Sequence, residues 1–218
     1  MISRGPLPLA LPRKVPSGCT LFYEFSIDTG SLISDCSGNG HHGDIQGGLP
    51  RAGQTGLVRR FDSIDDCVNT VDEVPLNGSS WTMAIWSDFA DLGSTNIQMA
   101  YAWGDAPAID ISTDGKVRIS ANSVIAVTSG AGVIIPGNWS FIVATYDLAN
   151  GHAVYVNGES VSLTAVDTVT YETSSIGVFL QGGSTGVPVM IGEVFCLDHS
   201  MDSKDVVDYY QKSARRYE

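Results

Sequence analysis

Residues 153–163 read Ala153-Val154-Tyr155-Val156-Asn157-Gly158-Glu159-Ser160-Val161-Ser162-Leu163, and this stretch sets the fold class. Asn-Gly separates two runs of β-forming residues. A two-residue type I′ turn needs positive φ at both central positions, which Asn and Gly adopt at little cost. The segment is therefore predicted as a tight antiparallel hairpin. Upstream, Trp81-Thr82-Met83-Ala84-Ile85-Trp86 alternates large and smaller side chains, the period-2 pattern of a sheet with two distinct faces. Further strands are expected at 21–25, 56–62, 66–71 and near 97–103, 107–112, 116–121, 124–128, 139–147, 160–166, 175–180 and 187–197. Asp114-Gly115 and Pro136-Gly137 mark turns between them. One helix is predicted near the end, with Asp202 as its cap, Asp205 at the third position and Val206, Tyr209 and Tyr210 facing inward. About a dozen short strands and one terminal helix read as an all-β, two-sheet antiparallel sandwich.

The bulk numbers agree. A chain of 218 residues fits one all-β domain, for which ~200–250 residues is common. Charged residues make up 17%, below the ~25% usual in soluble domains. The net charge of −12 is unevenly spread: residues 1–18 carry Arg4, Arg13 and Lys14 with no acid, whereas residues 19–211 hold 23 acids against six bases. An acidic body repels a phosphate backbone, so nucleic acid is excluded as a partner. No run of 18 apolar residues occurs, so membrane insertion is not expected. Pro6, Pro8 and Pro12 interrupt the apolar start, and Arg13-Lys14 fall on the wrong side of it for a signal peptide. Residues 1–18 read instead as an extended, proline-rich basic arm with Leu7, Leu9 and Leu11 interleaved, and residues 19–218 as the sandwich domain. The four cysteines, Cys19, Cys36, Cys67 and Cys196, form no C-x-x-C pair, which argues against structural zinc. Free thiols are favoured over two disulfides, for which three connectivities are open.

Several segments in order carry a family resemblance. They are the aromatic strand 21–25, Asp35-Cys36-Ser37-Gly38-Asn39-Gly40, Arg60-Phe61-Asp62 before Asp66-Cys67-Val68, Trp81 to Trp86, Trp139 to Asp147, Tyr155-Val156-Asn157-Gly158, and Ile191-Gly192-Glu193-Val194 through Met201-Asp202 to Tyr209. Together they make residues 20–211 resemble the laminin-G-like, concanavalin A-like lectin-glucanase jelly-roll domains. The resemblance implies a jelly-roll fold whose usual role is binding, with a structural calcium in many members. One departure is that the last strand of such domains usually carries an acidic pair, and Gly192 replaces its first member.

Candidate sites follow from side-chain chemistry. Asp35, Ser37 and Asn39 place oxygens at alternate positions before Gly40, like the first half of a calcium loop; Asp44, backbone carbonyls and a distant acid such as Glu193 would have to contribute the rest of the six to eight oxygens calcium requires. The alternative is an Asx-turn loop satisfied by its own backbone. Flat rings stack on the apolar faces of pyranoses, and Trp86, Tyr101 and Trp103, with Asp105 beside them, are the expected sugar contacts. Trp81 and Trp139 are assigned to the core. Glucanases sharing this fold carry a Glu-x-Asp-x-x-Glu strand that the chain lacks, and G-x-S-x-G, H-E-x-x-H and phosphate-loop motifs are absent, so no catalysis is expected.

The sequence therefore reads as a non-catalytic binding and surface-display module for glycans or a host cell surface. Its expected setting is the virion surface, as a phage capsid-decoration or tail component, or otherwise extracellular. The arm would anchor it to virion neighbours within an oligomer or larger assembly. The alternative is a purely structural virion protein that cements neighbouring subunits without binding sugar.

Overall fold

Residues that alternate on a strand must find two environments, and here both faces of the central strands are dry. The computed structural model describes residues 15–27, 30–53, 56–62, 65–70, 74–76, 78–93, 97–100, 107–121, 124–169, 171, 175–176 and 188–217. Strands are numbered along the chain. The large sheet runs β15 (Glu159–Val161), β14 (Gly151–Val156), β13 (Ser140–Asp147), β8 (Ser80–Phe89), β18 (Val189–Leu197), β5 (Leu57–Phe61), β4 (Leu49–Ala52), with β1 (Cys19–Glu24) also pairing with β18. A second sheet runs β16 (Leu163–Ala165), β12 (Val124–Ser129), β11 (Val117–Ala121), β10 (Pro107–Ile111), β9 (Ile97–Ala100). Two small sheets complete the fold: β2 (Leu32–Ile33), β3 (Gly43–Gln46) and β6 (Cys67–Thr70), and the pair β7 (Val74–Pro75) and β17 (Ser175–Ile176). The predicted strand 160–166 is in fact two, because at Ser162 the chain leaves the large sheet for the second one.

Between the two sheets lies the main core. Trp81, Met83, Ile85 and Phe89 of β8 meet Ile109, Ile111, Val117 and Ile119 there. The opposite face of the same strands forms a second core. Ala84 and Trp86 of β8, Phe141 and Val143 of β13 and Phe195 of β18 pack under α1 (Ser203–Ser213). A fully buried side chain of this size contributes about 1.5–3 kcal/mol, so the helix holds a large share of the apolar surface. The fold has three layers: helix, large sheet, second sheet.

Local chemistry fixes the helix in place. Thr82 Oγ1 donates to the His199 carbonyl (2.7 Å) and accepts from Met201 N–H (2.8 Å), which ties the approach segment to β8. Asp202 then caps the helix as predicted, accepting from Asp205 N–H at 2.8 Å. Val206 is fully buried, and Tyr209 and Tyr210 pack against the same core. At the helix end, Trp86 Nε1 donates to Ser213 Oγ (3.0 Å).

The predicted hairpin is present. Asn157 and Gly158 have φ of 53° and 81°, both positive as a type I′ turn demands. The oxygen-rich loop 35–43 closes on the opening strand. Asp35 accepts from Phe22 N–H (3.0 Å), Ser37 N–H (2.9 Å), the Ser37 hydroxyl (2.7 Å) and His41 N–H (3.1 Å). All four cysteines are free thiols. Burial pushes the Cys19 thiol up to about 12. Residues 1–14 of the expected arm lie outside the described residues, while Val15 packs against the helix-side core.

Candidate functional site

A cleft of about 590 Å³ opens at the rim where β13 begins. Val133, Ile135, Gly137, Asn138, Trp139 and Ser140 line it from the approach to that strand, and Asn157 and Tyr217 close it. Three main-chain bonds fasten the approach loop. Gly132 N–H donates to the Asp114 carbonyl (2.8 Å), Ile134 N–H to Gly115 (2.9 Å) and Gly137 N–H to Phe89 (2.7 Å). The loop is thus held at both ends by turns that the sequence marks with Gly. A pre-formed wall of this kind lowers the ordering cost of binding.

The opposite wall comes from the chain's end. Tyr217 follows the 3₁₀ turn Ala214–Arg216 and lies against two indoles, with ring centroids 4.6 Å from Trp86 and 4.8 Å from Trp139. Gly192 makes room for it. A Cβ there would stand 2.1 Å from a Tyr217 ring carbon, so the departure from the acidic pair is the seat of an aromatic ring. Beneath lies Glu193, fully buried, accepting from the Tyr209 hydroxyl (2.9 Å), Arg216 Nη1 (3.1 Å) and, more weakly, the Tyr217 hydroxyl (3.4 Å). Burial and the neighbouring Glu193 carboxylate push the Tyr209 phenol well up.

Asn157 supplies the fixed polar group. Its backbone N–H donates to the Phe141 carbonyl (2.9 Å) and its Oδ1 accepts from Phe141 N–H (2.8 Å). With Oδ1 pinned, the orientation of Nδ2 is set as well. The cleft thus combines a partly buried indole, a phenol ring, amides and a hydroxyl. Among the described residues its lining holds no carboxylate, imidazole, amine or guanidinium. Such a surface can stack and donate hydrogen bonds, and its described residues include no carboxyl pair of the kind glycoside hydrolysis uses.

The residues expected from sequence are distributed differently. Trp86 is fully buried, its ring stacked against Phe141 (5.2 Å), Tyr210 (5.8 Å) and Tyr217. That is a correction: the helix covers the face on which a sugar was expected. Tyr101, Trp103 and Asp105 lie outside the described residues. Trp139, assigned to the core, packs partly buried against the helix-side core and also lines the cleft. The signal for it was available: it stands one residue before its strand begins, directly after a Pro-Gly-Asn turn.

The calcium set is not gathered. Asp35, Ser37 and Asn39 share the loop, but both oxygens of Asp35 are taken by that loop and by Phe22. Burial raises the Asp35 carboxyl, and these bonds outweigh it, leaving the group below the usual carboxylate range. The Asn39 amide donates to the Cys19 and Thr20 carbonyls. Asp44 is exposed on β3 opposite Leu32 and Asn69, and Glu193 is engaged beneath the helix. Among the described residues no three His, Cys, Asp or Glu side chains converge as metal ligands would. The Asx-turn alternative describes this loop better than a calcium cage, for a physical reason: its carboxylate is already saturated by protein donors.

A family model described as the concanavalin A-like lectin/glucanases superfamily matches residues 62–206. The chain belongs to this superfamily. The matched span contains β8, β13, the 157–158 turn and most of the cleft lining, with Tyr217 beyond it. No curated protein sequence matches the chain. Among solved structures, the binding domain of Paraclostridial mosquitocidal protein 1 superposes with a TM-score of 0.73 at 11% identity, over 89% of this chain and 52% of that one. The receptor-binding domain of botulinum neurotoxin type G gives 0.67 at 12%, over 90% and 52%. Trypanosoma rangeli sialidase in complex with sialic acid gives 0.69 at 12%, over 93% and 34%. The chain thus spans about half of each binding domain and a third of the sialidase. At these identities the likeness shows the fold alone.

Proposed function

We propose that this superfamily member is a non-catalytic carbohydrate-binding module whose ligand site is the Trp139 cleft. The observation that carries the reading is the combination of an accessible indole with a pinned amide in a pre-formed concavity. The apolar face of a pyranose stacks on Trp139, while Asn157 and Ser140 bond its hydroxyls. Glycoside hydrolysis needs a carboxyl pair, and the described lining offers stacking and amide groups, the chemistry of binding. Two of the three structures named above are binding domains, and they support a binding role; the third is an enzyme. Display on a virion or other outer surface through the basic arm belongs to the same proposal, although the arm lies mostly outside the described residues and the cleft carries the argument.

The test is a glycan array probed with the full chain and with Trp139→Ala, each in calcium and in chelator. Binding by the parent chain, weakened roughly tenfold or more by Trp139→Ala, supports the cleft. Binding abolished by chelator would restore a calcium role at Asp35–Asp44. Equal binding by both chains would move the site elsewhere, and silence across the array would favour the subunit-cementing alternative.

A further inference from the structure

We infer that the cleft selects uncharged saccharides and turns away sialylated, uronic and sulfated ones; this rests on the carbohydrate-binding reading above. Four observations converge on it. First, none of the eight described residues that line the cleft is Lys, Arg or His, so among the described residues an anionic group entering it meets no counter-charge. An unpaired charge leaving water costs far more than a hydroxyl that finds a hydrogen-bond partner. Second, the cation closest in sequence to the wall is spent. Arg216 precedes Tyr217, and its Nη1 donates to the buried Glu193 Oε2 at 3.1 Å. Releasing Arg216 toward a ligand would take a guanidinium away from a fully buried carboxylate, which Tyr209 and Tyr217 serve only with hydroxyls.

Third, the long-range field has the wrong sign for anions. The chain carries a net charge of −12, and its acids repel an approaching anionic sugar out to about the Debye length, ~8 Å at physiological salt. Fourth, the fixed polar group at the cleft is neutral and donating. Asn157 is clamped to Phe141 through both its backbone N–H and its Oδ1, so its NH₂ points in one direction. An NH₂ of this kind complements a hydroxyl or an amide carbonyl on the ligand without needing charge. Stacking on Trp139 has the same preference, since it uses the apolar face of a pyranose.

The experiment uses the full chain and glycan pairs that differ only in charge: N-acetyllactosamine against its sialylated and sulfated derivatives, and cello- or chito-oligosaccharides against matched uronates. Neutral members should bind at least about tenfold more tightly than their anionic partners, with affinity unchanged when salt rises to ~0.5 M. Asn157→Asp keeps the Oδ1 acceptor and a residue type tolerant of positive φ, but replaces the donor with an oxygen. It should weaken neutral binding about tenfold while thermal unfolding of the variant confirms the fold. Asn138→Lys, at an exposed point of the rim, should shift preference toward the sialylated probe. Equal or tighter binding of the anionic members, falling as salt rises, would overturn the selectivity and leave the carbohydrate-binding reading standing. Silence toward every glycan would overturn both.

Discussion

Replacing Gly192 with alanine tests how the cleft wall is held. Gly192 does not use the left-handed backbone region, so alanine meets no backbone strain and its effect is steric. The new methyl would lie 2.1 Å from one Tyr217 ring carbon and 2.5 Å from the next, where ordinary contact is ~3.5–4.0 Å. The ring must retreat by more than ~1 Å, yet Trp86 and Trp139 stand against it at 4.6 and 4.8 Å between centroids. It therefore leaves its seat. Each lost aromatic pair costs about 0.5–1.5 kcal/mol beyond area burial, and re-exposing part of the ring adds ~1–2 kcal/mol. The expected loss is about 2–5 kcal/mol, which for a chain of this size lowers the melting midpoint by roughly 2–4 °C per kcal/mol. The discriminating assay is a double-mutant cycle by denaturant unfolding. In a Tyr217→Ala background the methyl has nothing to strike, and Gly192→Ala should be neutral or stabilise by ~0.5 kcal/mol through the unfolded chain. The coupling then exceeds the ~0.5 kcal/mol limit of additivity several-fold. Equal costs in both backgrounds would refute the seating of Tyr217 on Gly192.

Exchanging the roles of two tryptophans gives a second expectation: Trp86→Ala should cost about 3–5 kcal/mol of stability, whereas Trp139→Ala should cost less and act chiefly on ligand affinity, as calorimetry of both variants would show. Asp35→Asn sets an NH₂ against the Ser37 hydroxyl and His41 N–H and should destabilise by about 2–4 kcal/mol at neutral pH. Because the folded Asp35 carboxyl titrates below its ordinary range, its contribution is complete above the unfolded value of ~3.9 and is lost as pH falls through the folded one. The parent chain should therefore show an acid-limb loss of stability below about pH 4 that the asparagine variant lacks. Burial holds the Cys19 and Cys196 thiols protonated at pH 8, so their alkylation, read by mass spectrometry, should track unfolding rather than reagent concentration. Fast labelling of either in the folded chain would contradict their placement.

Much of the architecture was legible because its signals are local. Asn157-Gly158 can adopt the hairpin turn on its own, and Asp202 with Asp205 closes a helix start within one turn. What the pattern of alternation conveys is that neighbouring residues face opposite ways. It does not say whether the second face meets water. Trp86 looked accessible because it stands opposite Trp81, Met83 and Ile85 in phase, but a helix more than a hundred residues later covers that face. Trp139 looked internal because the strand after it is so apolar, and it does pack against the helix-side core, but at the strand mouth one part of it stays open and lines the cleft. The cleft itself needs Tyr217 beside Trp139 and Asn157 beside Phe141, contacts between distant segments that no local pattern encodes. The calcium reading turns on a different point. Spacing identified oxygens, while their availability depends on which N–H groups the fold brings to them.

The approach loop is fastened by the peptide groups of Gly132, Ile134 and Gly137, and by the carbonyls of Asp114, Gly115 and Phe89. Peptide groups are common to every sequence, so the shape of the wall is largely independent of the side chains it displays at 133, 135 and 138. Selection can therefore rewrite what this rim recognises one residue at a time while the frame beneath goes unedited. A lineage of such domains would drift in preferred ligand far faster than in fold. For an engineer, the same three positions are the place to randomise when retargeting the module.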